Sequence, residues 1–243
     1  MNCYTGCFAG IPLCFSFHHQ AAAGFYGDVL HACAPRSDCI AVPPEEIRLF
    51  MKRWSGPDPA YMEYTLSCSH ACDVLMRDRR VVFHGAAFLW HGRAYLFSAP
   101  SGTGKTTQLK LWKEMFGAEV EILNGDKPIL ELTDRDVLVH PSPWKGKEGL
   151  GRDDLVAPLS GIVLLQQDSS NSIAPISGAE AAAKLFGRIY STFTSEEDVL
   201  RAAGILDGIL QKTPVWLLRN LGDKASALLT YQTLTDEERG EHV

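Results

Sequence analysis

Residues 99–107 read APSGTGKTT, and this stretch decides the fold. An apolar segment at 94–98 precedes it as a predicted strand, and residues 105–116 follow it as a predicted helix. A glycine-rich turn that leads from a strand into a helix and ends in Lys-Thr is typical of a phosphate-binding loop. Ala99 stands where the first glycine of that pattern is usual, and its methyl group is small. The sequence therefore predicts that the chain binds a nucleoside triphosphate here.

The residue types of this loop suit phosphate chemistry. Gly102 and Gly104 let the backbone turn tightly and point N–H groups at phosphate oxygens, and the helix N-terminus adds a partial positive charge. Lys105 is expected to reach the β- and γ-phosphates, and the Thr106 hydroxyl to hold Mg²⁺. The predicted phosphate contacts come from seven consecutive residues: Ser101, Gly102, Thr103, Gly104, Lys105, Thr106 and Thr107.

An acid is expected near such a loop, because Mg²⁺ prefers oxygen ligands and a hydroxyl acceptor needs a base. Asp126 follows Lys105 by 21 residues and comes just after a predicted strand at 120–123. If that strand runs parallel to the strand before the loop, its end lies beside the loop. Asp126 is therefore a candidate metal ligand and proton acceptor. The alternative is a solvated turn aspartate, since Asn124-Gly125 favours turns.

Composition and charge limit the class of protein. The chain has 243 residues, 46% of them hydrophobic, which is enough for a large buried core. Its formal net charge of −6 argues against a nucleic-acid partner. No segment reads as membrane-spanning, and residues 1–20 lack the basic start of a secretory signal. We therefore expect a cytoplasmic protein that associates with neither nucleic acid nor a membrane.

Seven cysteines lie before position 73, and their odd number argues against a disulfide framework in a cytoplasmic chain. They are Cys3, Cys7, Cys14, Cys33, Cys39, Cys68 and Cys72. The pairs Cys3/Cys7 and Cys68/Cys72, with His70 between the latter, could hold zinc, but small buried hydrophobic residues are the simpler interpretation.

Strand-like and helix-like segments mix along the chain, with several adjacent hairpins. This pattern predicts an α/β protein with a mixed parallel and antiparallel sheet. The predicted strands are 8–17, 40–42, 81–83, 88–90, 94–98, 120–123, 128–132, 137–140, 161–166 and 215–218. The predicted helices are 45–53, 105–116, 179–191, 196–210 and 223–234, and a loop is expected at 55–59.

Three segments resemble known families. Residues 101–107 are similar to the phosphate loop of ATP-dependent phosphoenolpyruvate carboxykinases. The tetrapeptide at 83–86, FHGA, resembles HPr kinase/phosphorylase, in which a His-Gly stands at the same distance ahead of the loop lysine as His84 does here. Residues 142–147, SPWKGK, resemble an element of small HPr-kinase-related proteins from bacterial peptide-modification clusters, some of which phosphorylate a serine of a lasso peptide.

The resemblance implies a phosphoenolpyruvate carboxykinase-like P-loop fold for residues 80–243. Residues 1–79 are predicted to form a small α+β region, which is a candidate substrate or partner element. The resemblance also implies that His84 lies near the transferred phosphate and that Asp126 is the catalytic base. The family has two consecutive aspartates at this point. Here only one remains, because Gly125 takes the first position, or because Asp126 itself takes the first position and Lys127 follows. Whether Asp126 binds the metal, acts as the catalytic base or does both is therefore open.

Further candidates are less specific. Lys145 and Lys147 flank Gly146 in a Pro-rich loop and suit a mobile phosphate clamp, although solvated lysines are an equal alternative. Trp144 could stack on a ligand or belong to the core. Arg152 and Arg188 are candidate charge stabilisers, and the sequence gives no reason to choose between these roles and a surface position.

Two functions fit these observations. The first is a kinase that uses ATP, or another nucleoside triphosphate, with Mg²⁺ to phosphorylate a hydroxyl of a peptide, a protein or a small molecule. The second is a nucleotide-dependent regulatory or partner-binding module with weak or no catalysis, as the missing acid at Gly125 suggests. The sequence leaves the oligomeric state open.

Overall fold

The computed structural model describes residues 2–54, 58–146 and 148–240. Its strands are β1 Asn2–Phe8, β2 Ile11–Phe17, β3 His31–Cys33, β4 Ile40–Ala41, β5 Arg80–Val82, β6 Gly85–Trp90, β7 Arg93–Ser98, β8 Val120–Asn124, β9 Ile129–Leu132, β10 Val137–His140, β11 Ala157–Gln167, β12 Ser172–Pro175 and β13 Val215–Asn220. Its α-helices are α1 Ala21–Gly24, α2 Pro44–Trp54, α3 Pro59–Met76, α4 Lys105–Phe116, α5 Gly178–Leu185, α6 Glu196–Lys212 and α7 Lys224–Gly240.

The predicted mixed α/β class is confirmed by a sheet with parallel and antiparallel neighbours. Seven of its nine strands follow the order β5-β9-β10-β11-β7-β6-β8, and β13 pairs with both β11 and β12. Strands β7, β11 and β13 run parallel, whereas β6 is antiparallel to both β7 and β8. Parallel neighbours buried on both faces explain the nearly continuous apolar runs in β7 and β11.

Helices cover both faces of this sheet. On β7, Leu96 packs into a cluster with Leu185 and Leu206, which come from α5 and α6. The flanking residues Tyr95 and Phe97 point the other way, into a cluster that includes residues of α4 and α7. Successive strand side chains alternate between faces, so β7 is anchored from both sides and fixes where the following loop begins.

The expectation that the strand before Asp126 runs parallel to β7 holds, but the two strands are not neighbours. Strand β6 lies between β7 and β8 and is antiparallel to each. Strands β7 and β8 therefore run in the same direction and end at the same edge of the sheet, one strand apart. This edge carries both residues 99–107, the predicted phosphate loop, and Asp126.

The strand predicted at 8–17 is confirmed for residues 11–17, but its start is wrong, because Phe8 ends β1 and residues 9–10 form the turn of a β-hairpin. Strand β1 pairs with β2 around a two-residue turn in which Ala9 and Gly10 have φ of 49° and 81°. Two consecutive residues with positive φ are typical of the tight turns that join twisted strands. With β3 and β4, the hairpin forms a separate four-stranded sheet.

Helix α3 begins at Pro59, at the end of the segment 55–59 where the sequence predicts a loop, and no helix is predicted for this region. Residues 55–57 lie outside the described part of the chain. Asp58 caps the helix by accepting a hydrogen bond from the Ala60 amide at 2.9 Å, and Pro59 takes the first helical position. Both are standard helix-start signals.

Helix α3 packs the N-terminal sheet against the central one. Its Cys72 and Leu75 share a buried cluster with Phe15 of the N-terminal sheet and with Val82 and Ile129 of the central sheet. The apolar core thus continues across residue 79, and a domain boundary at that residue stays a prediction.

The helix predicted at 179–191 is shorter than expected. Helix α5 ends at Leu185, one 3₁₀ turn follows at Phe186–Arg188, and the chain is then extended. Ile189 forms a β-bridge with Phe83, and the Tyr190 amide donates to the Val82 carbonyl at 2.9 Å. Because these backbone bonds replace helical ones, Arg188 and Tyr190 are carried to the sheet edge that bears the phosphate loop.

The expectation that the cysteines form no disulfide framework needs one correction, because Cys14 and Cys39 form a disulfide bond. Strand β2 pairs with β4 with Phe15 opposite Ile40, so the preceding cysteines meet, with their Cα atoms 4.4 Å apart. Cys68 and Cys72 are free thiols buried in α3. Among the described residues, no group of three or more His, Cys, Asp or Glu side chains is placed to hold a metal ion.

In the part of the chain that the structure describes, no helix has both the length and the apolar character needed to cross a membrane.

Candidate active site

The phosphate loop has the backbone that its sequence predicts. It begins at Ala99, which is fully buried, and it ends at Gly104, which precedes α4. Gly102 and Gly104 have φ of 78° and 109°, a region that residues with a Cβ rarely adopt. The glycines therefore let the loop close over the N-terminus of α4, where helix N–H groups are free to bind an anion.

Lys105 lies at the base of this loop and is only 8% exposed. Its ammonium donates to the carbonyl oxygens of Ala99 at 3.1 Å and Pro100 at 3.4 Å. Burial lowers the pKa of Lys105, attraction to Asp126 partly offsets this, and repulsion from Arg188 and Lys127 adds to it. A half-desolvated cation held by carbonyl groups is suited to interact with phosphate oxygens.

A turn built on Asn124 positions Asp126. The Asn124 side chain is fully buried. Its Oδ1 accepts from the amides of Asp126 at 2.9 Å and Lys127 at 2.7 Å, and its Nδ2 donates to the Ser142 carbonyl at 3.1 Å. The Asn-Gly turn, which could also have placed Asp126 in solvent, therefore orients the Asp126 side chain.

Replacing Asn124 by Ala is expected to lower the free energy of unfolding by about 3 kcal/mol, because buried amides lose their acceptor. Urea denaturation followed by circular dichroism measures this loss. Gln211→Ala is the control: Gln211 is exposed on α6 and donates to Asp207 at the surface, so a change below about 0.5 kcal/mol is expected. Equal stability of the two variants would contradict the role given to Asn124.

Asp126 sits between two cationic or proton-bearing groups. Its carboxylate lies 3.4 Å from His84 Nε2 and forms an ion pair with the Lys127 ammonium. Burial by itself raises the pKa of Asp126, but the hydrogen bond to His84 and the charge of Lys127 outweigh burial, and the net pKa is lowered. Asp126 is therefore ionised at neutral pH and available as a ligand or proton acceptor.

His84 is fixed by backbone contacts at the edge where β6 begins. Its amide donates to the Arg188 carbonyl at 2.7 Å, and its own carbonyl accepts from the Ser98 hydroxyl at 3.0 Å. Its ring meets that of Tyr190 edge-on, with centroids 6.1 Å apart. The structure thus brings His84 against Asp126, at the edge of the sheet where β7 ends in the phosphate loop.

Sequence reasoning missed the pairing of Lys127 with Tyr190. The Lys127 ammonium lies 5.0 Å from the centre of the Tyr190 ring, which is a cation–π distance. Burial alone would lower the pKa of Lys127, but Asp126 outweighs it and raises the pKa. Lys127 therefore stays charged. No local signal links residues 127 and 190, because the 3₁₀ turn after α5 brings them together.

The two candidate arginines have different surroundings. Arg152 is half-exposed and pairs with Glu121 and Asp154, which explains it as a surface residue. Arg188 is close enough to Lys105 for its charge to lower the pKa of that lysine. Its buried Nε has no hydrogen-bond partner among the described residues. Of the two candidate arginines, Arg188 is therefore the one whose charge acts on Lys105.

The loop that follows β10 closes over Asp126. Trp144 is 2% exposed and stacks on Phe8 with ring centroids 5.4 Å apart, so it belongs to the core. The Lys145 ammonium is held by Asp153 at 2.8 Å and by the Gly151 carbonyl at 3.3 Å. Lys147, the other predicted clamp residue, lies outside the described residues.

The structure gives a physical reason for glycine at position 125. The Gly125 amide donates to the Leu150 carbonyl at 2.9 Å. A Cβ at position 125 would lie 3.1 Å from the Leu150 Cβ and 3.3 Å from the Leu150 oxygen. These distances are tighter than ordinary contacts, so a second aspartate here would push the covering loop away.

Gly125→Asp is expected to cost about 1–3 kcal/mol of stability, because the added side chain overpacks the contact with Leu150. Thermal denaturation of the variant measures this cost. Gly178→Asp is the matched control, since a Cβ at Gly178 meets nothing within 4 Å and an acid suits the first turn of α5. A Gly125→Asp variant as stable as the control would show that the loop at Leu150 moves aside without a cost in stability.

These elements enclose one cavity of about 770 Å³. Part of its lining comes from the phosphate loop, the Asp126 turn and the loop that follows β10: Ser101, Thr106, Gly125, Asp126, Lys127, Lys145, Gly146, Glu148 and Gly149. Pro143, Trp144, Leu150 and Tyr190 complete that side, and residues from the N-terminal region form another wall. The predicted residues Ser101, Thr106, Asp126 and Lys145 therefore share a single space.

The residues present fit a divalent cation bound together with phosphates. The Thr106 hydroxyl and the Asp126 carboxylate line the same cavity, and both are hard oxygen ligands of the kind that Mg²⁺ prefers. Mg²⁺ commonly takes one or two protein ligands and completes its shell with phosphate and water. Two protein oxygens are therefore sufficient.

No protein-family model matches the chain, and no curated protein matches it. Among solved structures, the chain is similar to the Hpr(Ser) kinase/phosphatase from Coxiella burnetii, with 11% sequence identity and a TM-score of 0.39. The alignment covers 66% of this chain and 92% of that chain. A likeness at this level does not by itself assign a fold or an activity.

Proposed function

We propose that this chain is a kinase that uses ATP and Mg²⁺ to phosphorylate a hydroxyl group. The observation that carries the proposal is the shared cavity: Ser101 and Thr106 of the phosphate loop line it together with Asp126, against which His84 lies. A phosphate-binding loop alone indicates nucleotide binding. An ionised carboxylate in the same space adds the group that a hydroxyl acceptor requires.

In this proposal, Thr106 and Asp126 hold the Mg²⁺. When bound, the cation neutralises phosphate charge and favours loss of the ADP leaving group. The backbone of residues 101–107 and Lys105 bind the β- and γ-phosphates. For this, the Lys105 ammonium exchanges its bonds to the Ala99 and Pro100 carbonyls for bonds to phosphate oxygens.

The reaction is an in-line displacement at the γ-phosphorus. The acceptor oxygen forms a bond to phosphorus, the bond between phosphorus and the β–γ bridging oxygen breaks, and the acceptor proton passes to Asp126. His84 holds the carboxylate through its contact at 3.4 Å, and the ion pair with Lys127 makes Asp126 a weak base. A weak base suffices because a loose transition state removes the proton late.

Arg188 joins Lys105 in this proposal as a stabiliser of charge on the transferring group. Its Nε is buried without a partner in the described part of the chain, and an unpaired buried donor favours an anionic ligand. Lys145 is a weaker candidate, since Asp153 already neutralises it. Lys147 keeps its proposed phosphate-clamp role as an expectation.

The proposal includes a phosphoenolpyruvate carboxykinase-like P-loop fold for residues 80–243, in keeping with the order of strand, loop and helix at 93–116. It places the protein in the cytoplasm, where ATP is supplied. The Cys14–Cys39 bond weighs against that location, because disulfides are rare there.

Incubation of the purified chain with Mg²⁺ and γ-labelled ATP tests the proposal. The acceptors are a library of Ser-, Thr- and Tyr-containing peptides, a set of proteins and a set of small alcohols. Label is expected to appear on at least one class of acceptor, in proportion to ADP released. If every class stays unlabelled while ATP binds, the kinase proposal is wrong.

A nucleotide-dependent binding module is the second candidate, and two observations favour it. Gly125 leaves one aspartate where two are expected from the family resemblance, and Lys127 already neutralises the remaining one. Such a module would bind ATP and change its affinity for a partner without transferring phosphate.

A further inference from the structure

One wall of the cavity comes from the N-terminal region and is uncharged. Helix α3 contributes Tyr61, Tyr64, Thr65 and Cys68, and Phe25 follows α1. The spacing of the four α3 residues is i, i+3, i+4 and i+7, so they form one stripe of the helix. This stripe and Phe25, here called the aromatic wall, stand in the same space as the phosphate loop.

Three rings of the aromatic wall form a contiguous group. Phe25 lies 5.4 Å from Tyr61 and 5.3 Å from Tyr64, and Tyr61 lies 5.9 Å from Tyr64, all between ring centroids. Phe25 is 40% exposed and Tyr61 is 43% exposed. Clustered, exposed rings that line a cavity are typical of ligand sites, because a ligand can remove their apolar surface from water.

The other walls of the cavity are charged. They carry Asp126, Lys127, Lys145 and Glu148, whereas the aromatic wall contains no acidic or basic residue. A ligand that spans the cavity therefore meets charge at one end and aromatic rings at the other. Phosphates match the charged end, and an apolar group matches the rings.

The in-line geometry of phosphoryl transfer indicates which end of the cavity holds the nucleotide and which end holds the acceptor. The acceptor and the leaving nucleotide stand on opposite sides of the γ-phosphorus. Asp126 must be on the acceptor side, since it takes the acceptor proton. The aromatic wall lines the same cavity as Asp126, and Tyr64 stands near enough to Asp126 and Lys127 for their charges to shift the pKa of its hydroxyl. We therefore assign this wall to the acceptor rather than to the nucleobase.

We propose that the aromatic wall binds an apolar group that lies beside the phosphorylated hydroxyl of the acceptor. This inference rests on the proposed kinase function and narrows its substrate class. The acceptor carries an aromatic or large aliphatic group next to the hydroxyl, and Phe25, Tyr61 and Tyr64 hold that group. The source of this chemistry is either a peptide or a small aryl alcohol, which the experiment distinguishes.

The experiment compares acceptors that differ only beside the hydroxyl. Serine peptides with Phe, Leu, Gly or Asp next to the serine form one arm, and alcohols with and without a phenyl ring form the other. We expect kcat/KM to be about tenfold higher or more with the apolar neighbour. A preference among peptides alone indicates a peptide acceptor, and one among alcohols alone indicates a small molecule. A preference in both arms supports the subsite equally.

Phe25→Ala and Tyr61→Ala are expected to remove this preference and leave the Kd for ATP unchanged. Tyr61→Phe should keep the preference, because the ring remains. Leu49→Ala is the control, since Leu49 is 66% exposed on α2 and does not line the cavity. A flat acceptor profile in the wild-type protein, or a loss of ATP affinity in the two alanine variants, overturns the inference.

Binding separates this inference from the kinase proposal if no acceptor is phosphorylated. Fluorescent Phe-Ser and Gly-Ser peptides are then titrated against the protein with Mg²⁺ and a non-hydrolysable ATP analogue. Tighter binding of the Phe-Ser peptide that Tyr61→Ala abolishes supports the subsite and rejects only the catalysis. Equal binding of both peptides rejects the subsite as well.

Discussion

Asp126→Asn is expected to lower the rate of phosphoryl transfer by about 10²–10⁴-fold and to leave ATP affinity within a few-fold of the wild type. Asparagine has nearly the same shape but cannot accept the acceptor proton. The backbone contacts of the turn remain, because Asn124 binds the amide of residue 126 and Gly85 donates to its carbonyl. Steady-state kinetics and a direct ATP titration measure the two quantities.

The Asp126→Asn variant needs a stability control, because it leaves the Lys127 ammonium partly buried without its counter-charge. Asp134→Asn is the matched variant: Asp134 has a 93% exposed side chain and pairs with Arg79 at the surface. Transfer should be unchanged in this control, and both variants must be folded. A nucleotide-dependent binding module would show little functional change in Asp126→Asn, and that result would reject the kinase.

Lys105→Met is expected to weaken the binding of Mg-ATP by at least about 100-fold. Several charge-assisted hydrogen bonds to phosphate oxygens are lost, each worth about 1.5–3 kcal/mol. Methionine retains a straight apolar chain that fits the buried base of the loop. Unfolding stability should change little, because burial already disfavours the charged form of Lys105 and lowers its pKa. Isothermal titration calorimetry with Mg-ATP measures the affinity.

The control for Lys105→Met is Lys184→Met on α5, where the lysine side chain is 39% exposed and pairs loosely with Glu180 at 3.7 Å. ATP affinity should be unchanged in that variant. If Lys105→Met binds Mg-ATP as tightly as Lys184→Met, residues 99–107 are not a phosphate-binding loop. Both the kinase and the binding-module functions would then fail together.

Local chemistry explains why part of the fold was predictable. The helix at Lys105–Phe116 has the predicted bounds, and the strand before it was predicted to within one residue. Glycine conformations and helix-start signals act within a few residues, so they can be read directly. The same signals at Asp58 and Pro59 also mark the start of α3, although residues 55–59 are predicted as a loop.

Other features depended on contacts that no local pattern encodes. The turn between β1 and β2 lies inside the strand predicted at 8–17, because Ala9 and Gly10 stand between apolar residues. The helix predicted to 191 stops at Leu185, because Val82 of β5 and His84 form backbone hydrogen bonds with Tyr190 and Arg188. The fit of Gly125 against Leu150 likewise depends on a loop 25 residues further along the sequence.

The sequence by itself determined that a strand, a glycine-rich loop and a helix follow one another at 93–116, and it predicted an anion site there with Asp126 as the companion acid. Residue types and short spacings are enough for that inference. Only the tertiary structure decided that Asp126 lies against His84 and Lys127, that Arg188 rather than Arg152 is near Lys105, and that an aromatic wall from the N-terminal region lines the same cavity as Asp126. Packing of both sheets on α3 brings these distant residues together.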